Sequence, residues 1–391
     1  MSLRFSKIDL QMQYTISKAW LGLFNLILWT LIACLGLFNE WPSKLFPAEA
    51  SSLFVEIQWW TLIVLAYVCI MLPLDIVGGF IIPKLTNYRK ENFPKFWKRL
   101  SRGIILHATI LWISGPLVME IGKHYGILGV MVLLMSTSAL MLLLQNPLAR
   151  IVAGYKIYGE DRENFQRRIG ELLGRKTEVV KEEDPAFAGG ITGLPWLEKT
   201  IIPSHWLEMS EDELKAQVLR RIGALRTHSR HRGVMVAILW NLYGFYSASL
   251  FSGAGVETVQ GLFLTSMAFV VWMCLGQVIL PNLSKTGSTE ADRYATANGV
   301  SESALEAALR SQMQLSRDGQ IEMDRLEKLL SPSLPINQRL EILRIEPSGM
   351  PGAWDSARIA QFLSWSCLGW FSRADYSLCG HPQNWVLQSG D

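Results

Sequence analysis

Few residues in this chain have types and spacing suited to chemistry. His228 and His231 stand three apart, which places two imidazoles on one helix face where they could share a metal ion. They lie within a run of bases, Arg226, His228, Arg230, His231 and Arg232, directly before an apolar block. That run reads more simply as a lipid-contacting patch of Arg226, Arg230 and Arg232, since each base near an anionic surface gains about 1 kcal/mol. Asp75 is the one acidic residue well inside an apolar block, and an intramembrane carboxylate is a functional candidate by default. Pro73, Gly78-Gly79 and Lys84 around it point instead to a bent helix end near the interface. His107 reads as a satisfied polar group within a bundle. There is no Walker-type Gly-rich loop, no Cys-x-x-Cys and no nucleophile elbow.

The elements that must position these residues follow from where the apolar residues lie. Half of the 391 residues are hydrophobic and 18% are charged, against about 25% in a typical soluble chain. This excludes a disordered chain and a disulfide-framed secreted module. A net charge of +3 does not suggest a nucleic-acid binder. The apolar residues fall in blocks: Trp20–Phe38, Trp59–Ile82, Gly103–Ile121, Tyr125–Gln145, Gly233–Phe251 and Val259–Leu280. Each approaches the roughly 20 residues that cross a bilayer, so six spans are expected, the third bent at Gly115-Pro116. Trp20 and Trp59-Trp60 read as interface belt residues. The first block reads as a span rather than a cleaved signal.

Lys84–Arg102 holds seven bases against one acid, which places that loop, both termini and the polar regions Asn146–Arg232 and Pro281–Asp391 on the cytoplasmic side. Of the five cysteines, Cys34, Cys69 and Cys274 fall in spans and Cys367 and Cys379 on the reducing side, so no structural disulfide is expected. In the polar regions, Glu160–Arg175 has helical spacing, and Thr177–Val180 and Thr200–Pro203 read as short strands. Between them lies a Gly-rich turn, Asp184 to Gly193. Ser210 and Glu213 form a capping box that opens a helix through about His228. Ser301–Gln314, Ile321–Leu330 and Leu334–Ile345 are amphipathic. Ile359–Phe371 is too short to span and reads as a packed or interfacial helix. No other pattern shows after Pro347.

This order of parts resembles the integral-membrane zinc metallopeptidases that include HtpX and the CAAX prenyl endopeptidase. Four stretches between Asp184 and Leu343 carry it. "DPAFAGGITGLPWLEKTIIPSHWL" is similar to the family's N-A-F-x-x-G turn and following strand, and "SEDELKAQVLRRIGALRTHSRHR" to its H-E-x-x-H helix. "STEADRYA" is similar to its E-x-x-A-D-x-x-A helix, and "SPSLPINQRLEIL" to its H-P-s…R…L ending. The two blocks between the second and third stretches fit the same layout.

The resemblance implies two zinc-binding His, a general-base Glu and a third ligand Glu, leaving one position for water. Aligned on Ile222-Gly223, those roles fall on Arg220, Arg221 and Ala224; aligned on Ala291-Asp292, the ligand Glu falls on Ser288. Arg has no lone pair to offer a metal and repels a dication. No catalytic residue, metal ligand or cofactor is therefore expected at these four positions. A relocated site would draw on His228, His231 and Glu290. The resemblance also implies that the stretch Ala188, Gly189, Gly190 and Ile191 borders the substrate cleft, where a peptide could add to a strand edge without a metal.

The expected fold is mainly α, a polytopic helical membrane protein of about six spans with a small α+β protease-like domain on the cytoplasmic side. The expected organisation is a four-span region 1–145, a protease-like domain in two parts, 146–232 and 281–346, a two-span hairpin 233–280, and a C-terminal extension 347–391. The expected function is a catalytically inactive metallopeptidase-like protein. It would serve as scaffold, regulatory or binding subunit of a membrane complex, in a bacterial inner membrane. Its partners would be the lipid bilayer and other membrane proteins or peptides, with no nucleic acid. The alternatives are an active membrane metalloendopeptidase with relocated ligands and, on Asp75 and His107, a transporter.

Overall fold

The computed structural model describes residues 7–39, 41–46, 52–87, 91–157, 159–172, 174, 176–182, 187–316, 334–345, 351–375 and 378–387. The expected helix Ile321–Leu330 lies outside them, as do Asp184 and the start of the fourth motif stretch.

A bilayer offers backbone groups no partner but one another, so its apolar blocks become helices. In chain order these are α1 (Lys7–Phe38), α2 (Trp41–Leu45), α3 (Leu53–Ile76), α4 (Ile82–Leu85) and α5 (Phe93–Leu143). After the short α6 (Gln145–Ala153) and α7 (Gly159–Ile169) come α8 (Glu211–Arg226), α9 (Ser229–Ser252) and α10 (Val259–Ala297). Among the described residues, five stretches are long and apolar enough to cross a membrane: Ile16–Phe38, Leu53–Leu85, Phe93–Leu143, Ser229–Ser252 and Val259–Ala297. The sequence blocks Gly103–Ile121 and Tyr125–Gln145 are both carried by α5. Its backbone leaves helical geometry at Gly126 (φ 62, ψ −164) rather than at Gly115-Pro116. Gly115 serves packing: a Cβ there would lie 2.0 Å from the Trp60 indole.

The chain divides into two units. The first comprises Met1–Met141, Ile238–Gly276 and Ala360–Trp385. Its core gathers Trp29, Trp60, Tyr67, Met119, Phe269 and Trp370. Trp60 is therefore no belt residue: it is buried and donates Nε1 to the Leu111 carbonyl at 2.9 Å. The described residues of Ala360–Trp385 are buried almost throughout. In place of the helix expected over Ile359–Phe371, the helix Ser356–Leu363 gives way to turns and a 3₁₀ turn at Trp370–Arg373, and Gln383–Val386 adds one last helical turn. Such irregular backbone persists beside membrane helices where protein groups satisfy it. Asn241 and Asn25 do so, donating to the carbonyls of Ala360 (2.9 Å) and Ala374 (3.1 Å).

Asp75 belongs to this unit. It is fully buried at the end of α3, where the helix widens into a π turn, Val77–Ile81. There Gly78 and Gly79 admit the backbone of Cys379 and Gly380; a Cβ at Gly79 would lie 2.0 Å from the Gly380 carbonyl oxygen. Gly380 N donates to Asp75 Oδ1 at 2.9 Å, and Arg373 Nη2 lies 3.5 Å from Oδ2. Arg373 Nε donates to the Tyr67 hydroxyl at 3.2 Å. His107 is buried beside them, its Nε2 3.4 Å from Ser372 Oγ.

The second unit comprises Leu142–Ala237, Gln277–Ile359 and Val386–Asp391. The segment 347–391 is thus divided between the two units. Four strands, β1 (Lys156–Ile157), β2 (Thr177–Lys181), β3 (Gly190–Thr192) and β4 (Lys199–Pro203), form one sheet in the order β1-β2-β4-β3. β2 and β4 run parallel, with Thr177 opposite Thr200, and β1 and β3 are the two antiparallel edges. Helix α8 starts at the expected capping box, with Ser210 Oγ accepting from Glu213 N and Glu213 Oε2 accepting from Ser210 N. It has apolar neighbours on two sides. Leu214 and Val218 pack with Val179, Ile202 and Trp206, while Ala216 and Leu219 pack with Ala295 and with residues of α11 (Glu302–Ser316) and α12 (Ile336–Leu343). Glu211 and Asp212 at the start of α8 are exposed but Ala216–Arg221 are buried, so any charge in that middle stretch needs a partner.

Candidate functional site

Helix α8 carries two such charges. Arg220 and Arg221 are 0% and 1% exposed. Arg220 turns toward α10, where Nε donates to Asp292 Oδ1 at 2.7 Å and Nη1 to Gln217 Oε1 at 3.0 Å. Arg339, on α12, donates to the same carboxylate twice, Nε to Oδ2 at 2.8 Å and Nη2 to Oδ1 at 2.7 Å. Asp292 is fully buried between the two guanidiniums. Arg221 turns toward the sheet. Its guanidinium sits 4.4 Å from the Trp206 ring centroid, and its Nη2 donates to the Ala188 carbonyl at 2.6 Å. Gln217, one turn before both arginines, accepts from each with Oε1 and donates Nε2 to Ala308 O at 3.0 Å.

Ala224 and Ser288, the other two positions singled out from the resemblance, are also buried. Ala224 packs in a small cluster with Ile191, Ala291 and Trp354. Trp354 is 1% exposed and lies 5.9 Å from the Arg220 guanidinium. Its segment is threaded between the start of α9 and the second half of α10. Glycines make that passage: a Cβ at Gly233 would lie 2.0 Å from Trp354 O, and one at Gly287 would lie 2.4 Å from Trp354 N. Trp354 N donates to Ser229 O at 3.0 Å and Ala353 N to Leu283 O at 3.1 Å. Gly352 N donates to Glu290 Oε1 at 2.6 Å, while its carbonyl accepts from Arg232 Nε at 2.7 Å.

The basic run at the start of α9 is taken apart by these contacts. Arg226 is exposed. Arg230 is 1% exposed and donates Nη2 to Ile191 O at 3.1 Å. Arg232 pairs with Glu290 at 2.6 Å. The lipid-contacting patch of three arginines is therefore not assembled, because carbonyls and a carboxylate of the same unit hold two of them. The expected open edge at Ala188, Gly189, Gly190 and Ile191 is likewise covered. All four are buried, and the Ala188 and Ile191 carbonyls accept from Arg221 and Arg230. Gly189 is required there, since its φ is +67° and a Cβ would lie 2.1 Å from Ile201 O.

Nor do His228, His231 and Glu290 converge. His231 Nε2 faces Glu198, the two Nδ1 atoms of His228 and His231 lie 3.2 Å apart, and Glu290 is held by Arg232 and Gly352. Among the described residues no group of three or more His, Cys, Asp or Glu is placed to hold a metal ion. The buried charge around α8 is cationic: Arg220 and Arg339 share Asp292, and Arg221 and Arg230 are buried against the Ala188 and Ile191 carbonyls. Coulomb repulsion there opposes a dication and suits carbonyl or carboxylate oxygens.

Sequence reasoning missed Gln217 and Trp354. Gln217 carries a signal in hindsight, standing three and four residues before two inward arginines. Trp354 carries none, since its segment has no periodicity.

The fold has a counterpart among solved structures. The likeness is to Ste24p: the crystal structure of S. mikatae Ste24p matches with a TM-score of 0.61 and 17% identity, over 81% of this chain and 80% of that one. The resemblance read from the sequence thus holds at the level of the fold. No family model and no curated protein matches the chain.

Proposed function

We propose that this chain is a noncatalytic metallopeptidase-like membrane protein that acts as a scaffold, regulatory or binding subunit of a membrane complex. The observation that carries the reading is the Arg220–Asp292–Arg339 network. It occupies the contact between the two helices that, by the resemblance, would hold a zinc ion. Trp354 fills the adjoining space at Ala224 and Ala291. A hydrolytic zinc site needs neutral imidazoles, carboxylates and an open position for water. Two buried guanidiniums on α8 and an indole supply none of these.

The polar regions and both termini are assigned to the cytoplasm and the chain to six crossings of a bacterial inner membrane. The non-helical Gly126 supports a turn between two crossings within α5. The seven bases of Lys84–Arg102 support the side.

The test is elemental analysis of the full chain purified in mild detergent, without chelator. Substoichiometric zinc and no cleavage of unfolded or membrane substrates are expected. One tightly bound zinc per chain, with chelator-sensitive cleavage, would overturn the reading. Proteins that co-purify from the membrane identify the complex.

A further inference from the structure

The first unit holds an apolar pocket of about 280 Å³ between α1, α2, α3 and α10, closed at its inner end by Trp370. Its deep wall is Trp29, Tyr67, Met267 and Trp370, each at most 3% exposed. Its mouth is Leu45, Leu62, Ala66 and Ile70, all exposed. Leu62, Ala66 and Ile70 follow one another at four-residue spacing along one face of α3. They lie in the middle and inner part of that 24-residue helix, away from its ends. If α3 crosses the bilayer, the medium on the α3 side of the mouth is therefore hydrocarbon, not water or headgroups.

We propose that this pocket is a binding site for one acyl chain of a bilayer phospholipid, entering sideways between α2 and α3. The lining decides the chemistry. An apolar cavity with no polar partners does not hold water. Left empty, it forfeits the dispersion contacts of six aromatic side chains, Trp29, Phe46, Trp59, Tyr67, Phe263 and Trp370. Lipid tails are the one species that reaches the mouth at high concentration and matches that lining. The volume falls just below the roughly 300 Å³ at which pockets for whole small molecules begin, which suits a single chain rather than a complete lipid. Tyr67 sets the inner limit: its ring lines the pocket, while its hydroxyl is turned to Arg373. The chain thus stops short of the Asp75–Arg373 pair. This site is independent of the metallopeptidase-like unit, so it stands whether or not that unit is catalytic.

The experiment is photolabelling of the full chain in nanodiscs made with a phosphatidylcholine that carries a diazirine near the end of one acyl chain. Adducts are then mapped by mass spectrometry. Adducts on the buried residues Trp29, Tyr67 or Trp370 are expected, at yields comparable with those on exposed Leu62. Ala66→Trp, which places an indole in the mouth, is expected to lower the buried adducts at least fivefold and leave those on the distant exposed Leu128 unchanged. Labelling confined to Leu62, Ile70 and other exposed residues overturns the proposal. So does buried labelling that Ala66→Trp and a second mouth variant, Leu62→Trp, both leave intact. If neither variant folds, the wild-type adduct pattern alone decides.

Discussion

Arg339 clasps Asp292 with two hydrogen bonds of 2.8 and 2.7 Å across 47 residues of sequence. Both were motif matches, in separate stretches of the chain, and the fold brings them into one buried pair. Arg220 adds a third bond to the same carboxylate at 2.7 Å. Three fully or nearly buried groups therefore share one compensation, and the carboxylate is the member that cannot be spared. Breaking a buried pair by removing one partner costs about 3–5 kcal/mol, because the other charge is left uncompensated. Asp292→Ala, which strands two guanidiniums, is expected at the upper end of that range. Arg339→Ala is expected to cost less, because Asp292 keeps Arg220. Thermal unfolding in detergent, with Asp292→Asn as the shape-conserving control, measures the order. Equal losses for Asp292→Ala and Arg339→Ala would show that the three do not act as one network.

The same residues show how far the sequence could be read. The spans were legible because their signal is composition over roughly 20 residues, which does not depend on partners. The strands β2 and β4 and the Ser210 cap were legible for a similar reason, being local. The replacement of zinc-type residues by Arg220, Arg221, Ala224 and Ser288 was legible through the resemblance alone. What each arginine does was not legible. Arg221 and Arg230 take carbonyls of the β3 segment, and those carbonyls come from 33 and 39 residues away. A run of bases before an apolar block looks the same whether it faces headgroups or backbone. Trp354 was out of reach because the glycines that admit it, Gly233 and Gly287, are far from it in sequence and mark no motif.

Trp354 makes the second prediction. Its indole is 1% exposed and is the largest group in its cluster with Ile191, Ala224 and Ala291. Trp354→Ala removes that volume while the glycine-lined passage keeps the backbone in place. Large-to-small changes of this size cost about 3–5 kcal/mol. Hydrogen exchange should then quicken at Ala353 and at residue 354, whose amides bond to Leu283 and Ser229. Unchanged exchange there would mean that the backbone contacts alone hold the segment.

Glu178 gives a pH dependence. Burial works against its charge, but hydrogen bonds from Lys199 (2.8 Å), Asn146 (3.0 Å) and Arg150 (2.7 Å) outweigh it and hold the carboxyl below its ordinary range. A depressed folded-state value means that the unfolded chain binds the proton first. The stabilisation is fully present above the unfolded value of about 4.3 and is lost as pH falls through the folded value. Its size is modest, since Lys199 and Arg150 are about half exposed and solvent screens them. Glu178→Gln is therefore expected to lower stability near pH 7 and to flatten the acid limb of the unfolding midpoint against pH. An acid limb that keeps its wild-type slope would assign it to other carboxylates.

Gly126 and Gly380 both have positive φ, +62° and +73°, yet their surroundings differ. Around Gly126 a Cβ meets nothing within 4 Å. At Gly380 it would lie 2.1 Å from Asp75 O and 2.2 Å from Gly79 N, where backbone cannot give way. Gly126→Ala should therefore cost only the backbone strain of a conformation that glycine alone adopts readily (φ 62, ψ −164), about 1–3 kcal/mol. Gly380→Ala adds an overlap that must push the segment off the π turn at Val77–Ile81. It also strains the 2.9 Å bond from Gly380 N to Asp75, so the loss should exceed that of Gly126→Ala by at least the 1–3 kcal/mol typical of overpacking. Thermal unfolding of the two variants in one detergent settles the comparison. A Gly380→Ala protein as stable as Gly126→Ala would mean that the close approach of Gly380 to α3 is not maintained in solution.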